Sequence, residues 1–106
     1  THYRDDRHQD HRLISDLTWN TFRDHFILEY EIPKYDGDLG IPQCFSQLSL
    51  DQVHKKIDIL MQSFASQQNK HWFDRETFLA LLRIRGLESA AHSKYAEAFH
   101  SRKWLL

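Results

Sequence analysis

The residues best suited to chemistry lie early in the chain, in the run Arg7-His8-Gln9-Asp10-His11-Arg12. His8-x-Asp10-His11 sets two imidazoles and a carboxylate within four residues, at a loop-to-helix junction. A neutral imidazole is a good ligand for zinc and similar cations, and a nearby carboxylate can fix a histidine's tautomer and raise its basicity. If His11 reaches a metal from the first helical turn, His8 can point into the same pocket as a proton donor or oxyanion stabiliser. On spacing alone, the same residues also describe a polar helix start with solvated histidines. His2-x-x-Asp5-Asp6 has ligand-like spacing too. His2, Asp5 and His11 could close a metal site by themselves, or the run is simply solvated and frayed.

Other reactive or sugar-facing residues have a plainer alternative. Cys44, the single cysteine, follows a proline loop without a nucleophile signature and reads as a small packed residue. Lys70-His71-Trp72-Phe73 could line a sugar-binding rim, or anchor a loop in the core. Arg83 and Arg85 could meet an anionic substrate group, or sit on a solvated helix face. His25, His54, His92 and His100 show no ligand spacing.

These residues need elements to hold them. Residues 10–24 predict a helix with Leu13, Ile14, Leu17 and Phe22 near one face and Asp10 as its cap. Residues 25–30 predict a short strand. Residues 31–43 form a long loop punctuated by Pro33, Gly37, Gly40 and Pro42, and its length suggests a functional or interface role. A second short strand is expected at 44–48. Ser49-Leu50-Asp51-Gln52 then reads as a capping box opening a helix over 50–65, with Val53, Ile57, Leu60, Met61 and Phe64 facing the core and Lys55, Lys56 and Asp58 facing water. Asp74 caps a third helix over 75–88 with Phe78, Leu81 and Leu82 inside and a weak end at Gly86. Tyr95 to Leu106 is expected to be extended, with Ala96, Ala98 and Trp104 packed.

Composition bounds the function classes. The chain has 106 residues, 41% hydrophobic and 27% charged, with a formal net charge of −1. That suits one domain with a real core, and it gives no electrostatic case for nucleic-acid or membrane-surface binding. No apolar run approaches the roughly 18–20 residues of a spanning helix. One cysteine precludes an internal disulfide and fits a reducing, cytoplasmic setting. The dense polar opening and the few short strands predict a chain that begins partway through a larger α/β domain.

The ordered set of motifs adds to this. Arg7-His8-Gln9-Asp10-His11-Arg12 resembles the H-x-D-H signature of the PIG-L/LmbE family of metal-dependent N-acetyl-sugar deacetylases. The stretch from Lys56 to Phe64-Ala65-Ser66-Gln67 is similar to the family's helix ending in a Ser-Gln pair, and Arg85-Gly86 followed by Tyr95-Ala96-Glu97-Ala98-Phe99 resembles its C-terminal Y-A-E-x-F segment. Trp19 to Gly40 also looks like the version found with bacterial glycan-biosynthesis enzymes. The resemblance implies a Rossmann-like three-layer α/β fold, of which residues 1–106 would be the C-terminal part of a single domain with about three helices and a few short strands. It implies zinc or another divalent metal held by His11, His8 as general acid or oxyanion stabiliser, Asp10 as its orienting neighbour, and Glu97 near the substrate pocket. The substrate would be an N-acetylated amino sugar or its conjugate.

The family's early A-H-P-D-D motif, which supplies two further ligands and the general base, does not occur in these residues. His2-Tyr3-Arg4-Asp5-Asp6 copies its spacing but lies too close to His8, and is read as coincidence. The 106 residues alone are therefore expected to bind zinc poorly and not to hydrolyse amides, the missing N-terminal half being the required partner. Two alternatives remain. One is a non-catalytic α/β module that acts by association or homo-oligomerisation. The other is a self-contained metal site of His2, Asp5 and His11.

Overall fold

The computed structural model describes residues 1–105. Three α-helices and three short strands follow the chain in the order α1 (Gln9–Thr21), β1 (Glu29–Tyr30), β2 (Cys44–Gln47), α2 (Leu50–Ser63), α3 (Arg75–Glu88) and β3 (Ala96–His100), with a 3-10 turn at Ala65–Gln67. The strands form one three-stranded sheet in the order β1-β3-β2. β1 runs antiparallel to β3 and pairs Glu29 with His100 and Tyr30 with Phe99. This is a small α/β architecture. No helix among the described residues is long and apolar enough to cross a membrane.

The chain divides into two units. The first holds Thr1–Ile32, Asp36–Cys44 and the described residues from Ala98 onward. The second holds Pro33–Tyr35 and Phe45–Glu97.

The second unit carries the apolar core. Leu48, Val53, Ile57, Phe73, Phe78 and Leu82 are buried together, with Leu60, Met61, Trp72 and Tyr95 packed against them. The periodic apolar positions of α2 and α3 place Val53 and Ile57 opposite Phe78 and Leu82, as helical spacing requires. Phe73 meets Phe78 edge-on at 5.1 Å, an arrangement that the ring quadrupoles favour. The expected capping box is present: Ser49 accepts from the Gln52 backbone N–H, and the Gln52 side chain accepts from the Ser49 N–H at 2.8 Å. Asp74 caps α3 by accepting from Thr77 N–H at 2.7 Å. Replacing Ser49 with alanine is expected to cost about 1 kcal/mol. That should appear as a melting temperature lower by roughly 4–8 °C in a thermal scan.

Several sequence expectations change. Phe64 lies past the end of α2 and is 49% exposed, because the helix stops at Ser63. Lys56 does not face water freely but is half-buried in an ion pair with Glu97. Gly86 does not end α3. The helix runs through it to Glu88, and the glycine is buried where Lys94 and Tyr95 cross. The strand expected at 25–30 is only Glu29–Tyr30. In the C-terminal run, Ala96 and Ala98 are buried as expected, but Trp104 is 56% exposed and Leu106 lies outside the described residues.

The largest departure concerns α1. Leu13 (58%), Ile14 (45%), Leu17 (56%) and Phe22 (46%) are all exposed, and Ser15 is the buried residue of the helix. The inward stripe is His11, Ser15, Thr18 and Trp19, which also repeats at helical spacing. Directional polar contacts fix this rotation. Trp19 Nε1 donates to Glu29 Oε1 at 2.7 Å, and the Thr1 and Thr18 hydroxyls lie 2.9 Å apart. Glu29 has no exposed surface and also accepts from the Arg4 backbone N–H at 3.3 Å. A fully buried carboxylate must keep such donors, so they hold the helix face in place.

Candidate functional site

The histidine-rich segment lies at the N-terminus of α1 in the first unit, and Asp6 is its hub. Asp6 is 3% exposed. One carboxylate oxygen accepts from the His8 backbone N–H at 2.8 Å, and the other lies 3.0 Å from His11 Nδ1. The Asp6 carbonyl also accepts from the Arg12 guanidinium at 3.1 Å, and the same guanidinium bonds the Arg7 carbonyl at 2.6 Å. Arg7 N–H in turn donates to Asp38 Oδ2 at 2.6 Å, which ties the long 31–43 loop to this corner. The polar run is therefore a braced turn. An aspartate bonding the N–H two residues on is a common local device.

His8 is the N-cap of α1, in place of the expected Asp10. Its Nδ1 accepts from the Asp10 backbone N–H at 3.3 Å, which in the neutral ring puts the proton on Nε2. Asp10 is exposed in the first turn, where its charge suits the helix dipole. The carboxylate on His11 is Asp6, not Asp10, because consecutive helical residues point about 100° apart around the axis, while the turn before the helix brings Asp6 to the ring. The His8 and His11 rings stack with centroids 4.5 Å apart.

Sequence reasoning set His2 aside and did not single out Asp6 or Tyr30, yet Asp6 and His2 meet His11, and Tyr30 meets His2. The His2 ring lies flat on His11, with centroids 4.0 Å apart and planes within 7°. The Tyr30 hydroxyl is 3.2 Å from His2 Nε2. Burial, with a smaller contribution from the neighbouring His11, lowers the His2 pKa to about 4 and so keeps the ring neutral at pH 7, although Asp6 opposes the shift. Burial chiefly raises the Tyr30 pKa, helped by Asp6. Asp5 turns outward and is exposed; burial chiefly, with Asp5 helping, raises the Tyr3 pKa. Of the Asp5-Asp6 pair, the buried Asp6 reaches His11 and the exposed Asp5 does not. The combination of His2, Asp5 and His11 is thus not assembled. Among the described residues no three His, Cys, Asp or Glu side chains come together as a metal-ligand set.

The remaining candidates sit elsewhere. Glu97, in the second unit, is ion-paired with Lys56 and borders a shallow apolar concavity with Leu48, Gln52, Ile59 and Leu60. Arg85 is buried and bonds Glu88 at 2.7 Å, so it does not lie on a solvated face. Arg83 is exposed and bonds the Lys94 carbonyl. Trp72 and Phe73 anchor their loop in the core, while His71 stacks on Tyr35 at 5.8 Å. Burial raises the Cys44 thiol pKa, which disfavours the nucleophilic thiolate. His100 is buried, stacked on Tyr3 at 3.7 Å and bonded to the Leu39 carbonyl.

No family model, curated protein or solved structure matches this chain.

Proposed function

We propose that the Asp6–His11 corner is part of the hydrolytic centre of a zinc-dependent deacetylase that acts on an N-acetylated amino sugar or its conjugate. One observation carries the reading. Asp6 holds His11 Nδ1 at 3.0 Å, which leaves Nε2 as the ring nitrogen with a lone pair to offer. A carboxylate behind an imidazole is the usual outer-shell arrangement of a metal-ligating histidine. The donor chemistry therefore fits a divalent cation at His11, and supplies one donor of the three that catalytic zinc ordinarily takes from protein. The other donors and the general base are proposed to come from polypeptide beyond the 106 residues, which would complete a Rossmann-like three-layer domain. The outward apolar face of α1, with Leu13 and Leu17 more than half exposed, supports such a covering partner.

Zinc would supply Lewis-acid activation of water and of the acetamide carbonyl. His11 orients toward it through Nε2, and Asp6 keeps that tautomer. His8, exposed at the helix cap with its proton on Nε2, is placed to donate a hydrogen bond to the developing oxyanion, while the proton that the general base takes from water passes to the departing amine, so that acetate and a free amino sugar leave. The composition is in keeping with a cytoplasmic enzyme.

The test is acetate release by the protein with its remaining donors, measured with and without a chelator. Activity should vanish on chelation and return with zinc. Asp6→Asn should lower it roughly 10–100-fold, the usual cost of losing an outer-shell partner. Chelator-insensitive release would overturn the proposal. A second reading, association without catalysis, is favoured by the same exposed α1 face. It predicts concentration-dependent oligomers of the chain in sedimentation, with no acetate released.

A further inference from the structure

We infer that His2, held by the Tyr30 hydroxyl, is a positioning residue that fixes the ring plane of His11. The inference rests on the reading of His11 as the metal-facing imidazole and adds a second support to it. Asp6 is a single hydrogen bond at Nδ1, and one such bond leaves the ring free to swing about it. A flat neighbour at 4.0 Å and 7° removes that freedom. His8 covers the ring as well, at 4.5 Å and a more open 28°.

The stack also decides what His2 is not. Imidazole lone pairs lie in the ring plane. Two nearly parallel rings 4.0 Å apart hold them in separate, nearly parallel planes, and these cannot converge on one tetrahedral ion. His2 therefore supports a ligand without being a co-ligand.

His2 is itself well secured. Its backbone bridges Tyr30 in parallel, and the Tyr30 N–H bonds the Thr1 carbonyl at 2.9 Å. Its Nε2 meets the Tyr30 hydroxyl at 3.2 Å. Strand β1 thus carries two successive residues of this arrangement. Glu29 pins α1 through Trp19, and Tyr30 pins the ring beneath His11. His2 Nδ1 is buried without a hydrogen-bond partner among the described residues, so the ring serves here by its flat face and not by that nitrogen.

The experiment compares His2→Ala, His2→Phe and Tyr30→Phe in the intact protein, with melting temperature as a control for folding. Two quantities are read: the His11 ring signals in a long-range 1H–15N spectrum, and zinc affinity by chelator competition. His2→Ala should shift and broaden the His11 signals and weaken zinc binding about 10-fold, in the range of outer-shell losses. His2→Phe keeps a flat ring without nitrogens and should restore both. Tyr30→Phe should broaden the His11 signals less than His2→Ala does. Unchanged His11 signals in His2→Ala would overturn the inference, and so would loss of zinc binding in His2→Phe as severe as in His2→Ala. If His2→Ala disturbs the His11 signals in a protein that binds no zinc at all, positioning stands and the deacetylase reading falls.

Discussion

Replacing His11 with alanine should abolish chelator-sensitive acetate release, a loss well beyond the roughly 10–100-fold that follows removal of an outer-shell partner. The substitution removes the imidazole whose tautomer Asp6 sets, and with it the proposed donor to the cation. It also removes the His11 hydrogen bond from the Asp6 carboxylate, which is 3% exposed. Some loss of stability should therefore accompany the loss of activity, because a hydrogen bond to a buried charged group is among the stronger ones. His11→Gln separates the two effects. Its amide can still donate to Asp6 while offering no imidazole, so it should recover most of the stability and none of the activity. Metal content measured beside the melting curve decides the matter. A His11→Gln protein that keeps full zinc and full acetate release would remove His11 from the centre. Asp10→Asn serves as the contrast. It removes an exposed charge from the first turn of α1, worth about 0.3–1 kcal/mol through the helix dipole, and leaves the Asp6–His11 contact in place.

The second large effect belongs to Gly86. A methyl group there would strike the Lys94 carbonyl and approach the Tyr95 backbone nitrogen to 2.6 Å. Both obstacles are main chain, so no side-chain rotation relieves them. The crossing segment is held by Lys94 N–H on the Ala91 carbonyl at 2.9 Å, and Ala91 N–H is bonded to Gly86 itself at 3.0 Å. Alanine is the better helix former by about 1 kcal/mol, which offsets only part of the clash. Gly86→Ala is therefore expected to destabilise the second unit by about 3 kcal/mol or more, at or beyond the upper end of overpacking costs. A urea titration followed by circular dichroism should show the midpoint falling sharply. Arg83→Ala, three residues earlier on an exposed part of the same helix, removes one side-chain hydrogen bond to the same carbonyl and should cost about 1 kcal/mol. Equal effects at the two positions would mean that the backbone crossing is looser than the structure has it.

The second unit was legible because local rules and packing agree there. Ser49 and Gln52 form the capping box that their spacing announces, Asp74 caps α3, and Val53, Ile57, Phe78 and Leu82 turn inward at the expected period. The first unit was less so. Helical spacing of apolar residues pointed Leu13, Ile14 and Leu17 inward, and the structure turns them out. Two stripes of α1 repeat at the same period, and periodicity cannot choose between them when the inward one is made of His11, Ser15, Thr18 and Trp19. The partners that choose, Glu29 for Trp19 and Asp6 for His11, are not apolar and leave no hydrophobic signal.

From the order of residues alone follow three helices, the caps of α2 and α3, the core of the second unit, and the nearness of His8 to His11, which three positions across a helix start enforce. Tertiary structure alone decided which carboxylate serves His11. Asp5, Asp6 and Asp10 are equally acidic on paper, but only Asp6 is folded beneath the ring. It alone brought His2 and Tyr30 to the site, since 28 residues separate that hydrogen-bonded pair in sequence. Stacking and hydrogen bonding depend on distances of a few ångströms and on ring planes. Those are set by where the chain returns, not by which residues are neighbours along it.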